Sequence, residues 1–431
     1  MVILNLLYFA ILTFYGVKFV TSSGREMSNP LDPDTRIALN GPETFWVLTF
    51  ATGLLSFSGD LGLDISALRM AVVEVLCIIG LCVAQRRPVW SFPIVIYVVY
   101  LLWLFVGLTY GPSLNYGIRV VLKYSYPLLI CLFSSAVVED IEVWMKSALW
   151  ARKVALISVI FSFVPFIGTI FPVFWYPTAR AINFISMTIF SLALFYYTDE
   201  KRKNLLYVVV FILPCFIWVF RTSIMGSLVA IMSFFFIRYR VRSLPIIFGI
   251  IISGILAVFF IPSLHDKMFK KGSNITLEMF QEGQVSMENV ETNARQAMWE
   301  AMEDNFYEGH ELIGSGTGSV QNYMYTHFVF GGLKVPHSDY VQMKCDNGLI
   351  GLVLYCAVAI FIFFHCFNVY WANQNDLRLQ LAALVAGASM VGVFVTLYSD
   401  NTVNYSMATL SMPFGFYGMM LGMLRKQKEQ L

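Results

Sequence analysis

"VPHSDYVQMKCDNGLIG", residues 335–351, sets a histidine, two aspartates and a lysine directly before an apolar run that reaches residue 370. About 20 apolar residues are what a helix needs to cross a bilayer. Polar side chains crowded at such a border need a partner or a task, because lipid offers them neither. Outward from this stretch the rest of the chain has the same character. Of its 431 residues 58% are hydrophobic and 13% charged, and mean hydropathy is positive. A soluble core of this size would carry far more surface charge, so the composition excludes a soluble enzyme.

Apolar runs recur at 1–20, 43–59, 66–84, 89–108, 117–137, 154–174, 181–197, 205–220, 222–237, 244–261, 347–370, 379–397 and 407–424. The expected fold is an all-α polytopic membrane protein of about 12–14 transmembrane helices, read here as thirteen. Residues 1–261 carry the first ten, 262–346 form one large outer loop with short amphipathic helices, and 347–431 carry the last three and a tail. Met1 to Val20 has no basic region before it and no small-residue cleavage site, so it reads as a first span and not a signal peptide. The gaps "QRRP" at 85, "TDEKRKN" at 198, "RYRVR" at 238 and "RKQKEQ" at 425 then fall on one side, with Lys18, Arg25, Arg36, Lys146, Arg152, Lys153 and Arg378. The positive-inside rule makes that side cytoplasmic, placing the C-terminus inside and the N-terminus outside.

Six of the seven cysteines sit inside apolar runs and only Cys345 lies at a loop edge, so they read as small buried hydrophobes. Within the outer loop, "ETNARQAMWEAMEDNFY" spaces Ala294, Met298, Ala301 and Met302 as one helical face, with Thr292 as N-cap. Gly309 and a flexible "GSGTG" at 314 end it. That glycine run lacks the Lys-Ser/Thr of a phosphate loop, so no nucleotide is expected. No His, Cys, Asp and Glu cluster has ligand spacing, so no metal or other cofactor is expected. Nothing in the charge pattern points to nucleic acid. "NIT" at 274 is a glycosylation sequon by pattern only.

Five cations fall outside both the basic clusters and the large loop: Arg69, Arg119, Lys123, Arg180 and Arg221. Each sits within about two turns of the outer end of a span. Arg119 and Lys123, one turn apart, share a helix face, and Arg221 sits where only a tight turn fits between two runs. Snorkelling, or pairing with Glu74, Asp60 or Asp64, accounts for any one of them. Five together, with Arg295 from the loop above, suit an anionic headgroup, and guanidinium forks suit phosphate oxygens.

At these residues the chain resembles the O-antigen polymerase and O-antigen ligase superfamily. Its signature is matched by His337, Ser338, Asp339, Tyr340, Val341, Asp346, Gly348, Leu349, Ile350 and Gly351. The family's Arg-x-x-x-Trp followed by Gly-x-Gly is matched by Arg295, Trp299, Gly314 and Gly316, and its Ser-Arg-small turn by "FRTS" from Phe220. Phe220 stands where serine is common and Ser338 where asparagine is usual. The resemblance runs from Arg221 to the C-terminus. It implies a GT-C-like glycosyltransferase of the bacterial inner membrane, with a periplasmic active face. The donor would be an oligosaccharide on undecaprenyl diphosphate, transferred to a hydroxyl without a cofactor or metal, with a chain-length regulator as a possible protein partner.

The residue types fit that chemistry. Diphosphate gains negative charge as it leaves, and preorganised cations stabilise it in a partly dehydrated site. Arg221 and Arg295 are expected there as catalytic residues, with Arg119, Lys123, Arg180 and Arg69 holding diphosphate and lipid. An acceptor hydroxyl must lose a proton, and His337 is the expected base. His265, His310, His327 and His365 lack such surroundings and read as structural. Tyr340, Asp339 and Trp299, with Asp400, Asn401 and Asn404 from "YSDNTVNYSMATLSMPFGF" at 398, are expected to contact glycan. For Asp339 the other reading is orienting His337 or holding the loop; for the 398 stretch it is a plain polar turn. The first functional reading is O-antigen polymerase and the second O-antigen ligase, which differs only in acceptor. A flippase or other transporter without catalysis is a third, although transporters place charge near the midplane and show repeats.

Overall fold

A computed structural model describes residues 2–22, 24–32, 34–51, 65–163, 181–270, 275–284, 289–291, 295–327, 333–405, 407 and 409–430. Arg180, Asp60, Asp64, Thr292, Ala294 and Asn274 lie outside these residues. Among the described residues the fold is all-α apart from one small hairpin. The helices that frame the molecule are α1 (Val2–Thr21), α2 (Gly41–Thr49), α3 (Ile65–Val83), α4 (Phe92–Leu108), α5 (Leu114–Val137) and α6 (Ile141–Ser162). After them come α7 (Ile185–Tyr197), α8 (Lys201–Ile217), α9 (Arg221–Tyr239) and α10 (Leu244–Phe260). Short helices α11 (Pro262–Met268), α12 (Leu277–Gln281), α13 (Arg295–Phe306) and α14 (Ser319–Thr326) follow, then α15 (Asp339–Ala372), α16 (Leu377–Thr396) and α17 (Ser411–Gln430).

Four helical segments among the described residues are long and apolar enough to cross a membrane: Leu114–Val137, Arg221–Phe260, Asp339–Ala372 and Leu377–Thr396. The second is two helices joined by the 3-10 turn Arg240–Ser243, where Arg240 takes a φ of 53°. Strands β1 (Arg25–Ser28) and β2 (Arg36–Leu39) pair antiparallel between α1 and α2. Four-residue strands that are mostly exposed give no alternating apolar signal, so the sequence did not announce them.

With lipid outside, helices associate through close backbone approach and not through expulsion of apolar surface from water. A Cβ on Gly226 of α9 would stand 2.8 Å from the Gly392 carbonyl of α16. One on Gly418 of α17 would stand 2.2 Å from the Cys131 carbonyl of α5. Between α4, α5 and α15 the buried tyrosines Tyr97, Tyr100, Tyr124 and Tyr355 form a ring cluster, and Tyr97 Oη donates to the Tyr124 carbonyl at 2.8 Å. α10, by contrast, has no buried residue, and much of its apolar surface is exposed.

Charge separates to two ends of the bundle. At one end Arg425 donates to Glu139 at 2.5 Å and to the Arg87 carbonyl, and Arg86 pairs with Glu429 at 3.2 Å and Glu139 at 3.7 Å. Lys426 pairs with Asp140, and Lys146 reaches Ser28 at 2.8 Å. α4 leads away from this end, and its last turn meets the glycine-rich loop at the other, where the Thr317 N–H donates to the Gly107 carbonyl at 3.1 Å.

Candidate active site

The opening stretch folds differently from its hydropathy pattern. The helix begins at Asp339 and not at "GLIG", with Ser338 as N-cap accepting from the Val341 N–H at 3.2 Å. The polar residues 339–347 are its first turns, and the chain bends at Gly348, where φ is 67° and ψ −170°. Only glycine suits this bend, since a Cβ would come within 2.2 Å of the Leu312 carbonyl.

The glycine run is not a flexible linker either. Gly316 has a φ of 101°, and a Cβ on it would lie 2.4 Å from Gly111 Cα, so the loop is wedged against the end of α4. Asp346 fixes it from the other side: its carboxylate accepts from the Gly318 N–H at 3.1 Å and the Val320 N–H at 2.8 Å, capping α14. Thr317 Oγ1 donates to Asn347 Oδ1 and to the Leu104 carbonyl, both at 2.8 Å, and Trp103 Nε1 donates to the Asn347 carbonyl at 2.9 Å. Glycine here serves backbone approach, so the two sequence motifs are halves of one buckle.

The cations converge on the connection between α16 and α17. Arg295, the first residue of α13, donates from Nη1 to the Ser399 carbonyl at 2.5 Å. Arg221, the first residue of α9, donates from Nη1 to the Glu291 carbonyl at 2.5 Å and stands within the field of Arg295. Thr222 Oγ1 and Ser399 Oγ are 2.7 Å apart, tying the start of α9 to the same loop residue. α13 forms because Met298 and Met302 recur on one face; both are buried against Val320, Met324, Val341 and Cys345. That packing aims the start of α13 at the loop.

His337 completes the group. It is partly buried, next to Pro336, whose carbonyl accepts from Trp299 Nε1 at 2.7 Å. Burial, then the Arg295 charge, pull its imidazole below the usual histidine value, against a smaller pull upward from Asp400. Burial pushes the Asp400 carboxyl up, while the Asn401 N–H and the charges of His337 and Arg295 hold it down. His337 is therefore kept neutral near neutral pH, with one ring nitrogen able to accept a proton. Its φ of 54° and that of Val219 (50°), two residues before Arg221, lie in the left-handed region that such side chains rarely occupy. Strain of about 1–3 kcal/mol at each is held in place by surrounding packing, as at many functional sites.

The other expected site residues divide in three. Lys123 donates to Asn404 Oδ1 at 2.5 Å, and with Asp339 and Gln342 they line a small polar cavity behind the loop. Asp339 anchors that loop: its carboxylate accepts from Asn401 Nδ2 at 3.1 Å and the Val403 N–H at 2.9 Å, and its own N–H donates to the Leu397 carbonyl at 2.9 Å. The Trp299 ring lies 5.6 Å from that of Tyr398, which is 58% exposed. Tyr340 turns inward, donating from Oη to the Phe394 carbonyl at 2.8 Å. Arg119 lies 5.4 Å from the Tyr116 ring, and Arg69 is buried in α3. Glu74, offered as a partner for Arg69, accepts from Ser125 Oγ at 2.8 Å. Ser399 and Thr222 are the residues that sequence reasoning passed over, and Asn401, expected with Asp400 and Asn404 to meet sugar, donates to Asp339.

Among the described residues, no group of three His, Cys, Asp or Glu side chains is placed to hold a metal ion. The arrangement is that of a multi-pass membrane protein with two arginines and a neutral histidine gathered at one end of its helices. The family model described as O-antigen ligase matches residues 206–356, from within α8 into α15. Arg221, Arg295, His337, Asp339 and Asp346 all lie inside this match, and it bears out the resemblance to the O-antigen polymerase and ligase superfamily. No curated protein matches the chain.

Proposed function

We propose that the protein is an O-antigen polymerase. It would transfer a growing glycan from undecaprenyl diphosphate to a hydroxyl of another lipid-linked repeat unit at the periplasmic face of the bacterial inner membrane. The family match supports the coarser statement, glycan transfer of the O-antigen ligase and polymerase type. What supports transfer from a diphosphate is the meeting of three groups: Arg295 on the Ser399 carbonyl, Arg221 within its field and held by Glu291, and His337 between the charges of Arg295 and Asp400. In the proposed step the bond between the anomeric carbon and the phosphate oxygen breaks, and the diphosphate leaves with its electron pair. The acceptor oxygen bonds to that carbon while its proton passes to His337. Each arginine uses one Nη donor on a backbone carbonyl, which fixes its fork toward the developing negative charge. Lys123 would add charge from behind the loop, and Trp299 and Tyr398 would offer ring faces to sugar.

The matched family, O-antigen ligase, favours a second reading, a ligase whose acceptor is the lipid A core. Deleting the gene separates the two. Loss of long chains with one repeat still attached to the core supports the polymerase. Lipid-linked chains that never reach the core support the ligase. Purified protein in liposomes with lipid-diphosphate repeat units tests catalysis itself: no glycan transfer by the wild type would leave transport as the function.

A further inference from the structure

The end of the bundle away from the arginine cluster carries a groove of about 580 Å³ between the segment after α3 and the last turns of α17. The seventeen residues of α4 separate it from the glycine-rich loop, roughly 25 Å at 1.5 Å per residue. It is thus a second place on the molecule, and nothing said of it depends on the proposed reaction.

Four cations line the groove, Arg86, Arg87, Arg425 and Lys428, against one acid, Glu429. Arg86 and Arg425 are already held by Glu139 and Glu429. Arg87 and Lys428 have no ion pair among the described residues, and Arg87 is exposed. Apart from Gln85 the remaining wall is apolar, with Pro88 and Val89 and the partly buried Leu424 of α17. Just past Val89 in the chain, Trp90 and Phe92 stand 58% and 64% exposed, and Trp90, an apolar ring with a polar N–H, is of the residue type enriched at membrane interfaces. Uncommitted positive charge, an apolar wall and interfacial aromatics together match a phosphate that arrives on acyl chains, not one free in water.

We propose that this groove binds the phosphate headgroup of an anionic membrane lipid. Arg87 and Lys428 meet the phosphate, Arg86 and Arg425 are positioned behind them by Glu139 and Glu429, and Val89 and Leu424 face the acyl chains.

The test is native mass spectrometry of the full chain taken from vesicles of phosphatidylglycerol or of phosphatidylethanolamine. The wild type should retain phosphatidylglycerol in preference. Arg87→Gln with Lys428→Gln should weaken that retention roughly 30-fold, from the removal of two interfacial cations. Arg87→Lys with Lys428→Arg, which keeps both charges, should retain lipid like the wild type and shows that substitution there is tolerated. Equal retention of the two lipids, or undiminished retention by the Gln pair, overturns the proposal. Displacement of the lipid by millimolar inorganic phosphate also overturns it, by assigning the groove to a soluble anion.

Discussion

Arg295→Gln and Asp400→Asn should move the pH profile of glycan transfer in opposite directions. His337 is drawn below the ordinary histidine value by burial and then by Arg295, and drawn back by Asp400. As the proposed base it would work in its neutral form, so activity is expected above that lowered value and is lost as pH falls through it. Arg295→Gln removes one of the two lowering causes, so the acid limb moves to higher pH. Asp400→Asn removes the raising cause, and the limb moves lower. The arginine change carries a second cost. Losing a preorganised cation at developing charge lowers kcat about 10²–10³-fold, or about 3–4 kcal/mol. The bond to the Ser399 carbonyl at 2.5 Å, charge-assisted and so worth about 1.5–3 kcal/mol, goes as well and loosens the loop. The assay is transfer between lipid-diphosphate repeat units in liposomes from pH 4.5 to 8, read as kcat at saturating donor. Limbs that move together, or that stay where they are in both variants, refute the placement of His337 between Arg295 and Asp400.

Three further outcomes are expected. His337→Ala should lower transfer about 10²–10⁴-fold with helix content intact by circular dichroism, the range of one general base; normal polymer formation would end the claim. Asp346→Ala leaves the N–H groups of Gly318 and Val320 buried without an acceptor, a loss of about 2–5 kcal/mol visible as a lower melting temperature in detergent. Gly316→Ala forces a Cβ to within 2.4 Å of Gly111 Cα at a φ of 101° and should destabilise by about 1–3 kcal/mol in the same measurement, while Gly283→Ala, with no atom near, isolates the cost of backbone strain alone.

Much of the fold was legible because lipid imposes simple rules. Apolar runs gave helices, and Met298 with Met302 gave α13 from spacing alone. The turn before Arg221 was legible as well, since two apolar runs met there at one charge. What stayed hidden was supplied by backbone. Arg295 is held by a carbonyl, that of Ser399, over a hundred residues away, and a carbonyl leaves no mark in a sequence. The "GSGTG" run was misread as flexible because glycine signals freedom and close approach with the same letter, and only Gly107, Gly111 and Asp346 decide between them. Asp339 had two readings open, and its bonds to Asn401 and Val403 place it with the loop's support.

Ser399 lies in the connection between α16 and α17 and touches the first residues of both α9 and α13. The pocket therefore cannot be assembled during synthesis until the last helical pair has entered the membrane. A chain that ends before Ser399 would hold Arg221, Arg295 and His337 without the loop that Thr222 and Arg295 grip.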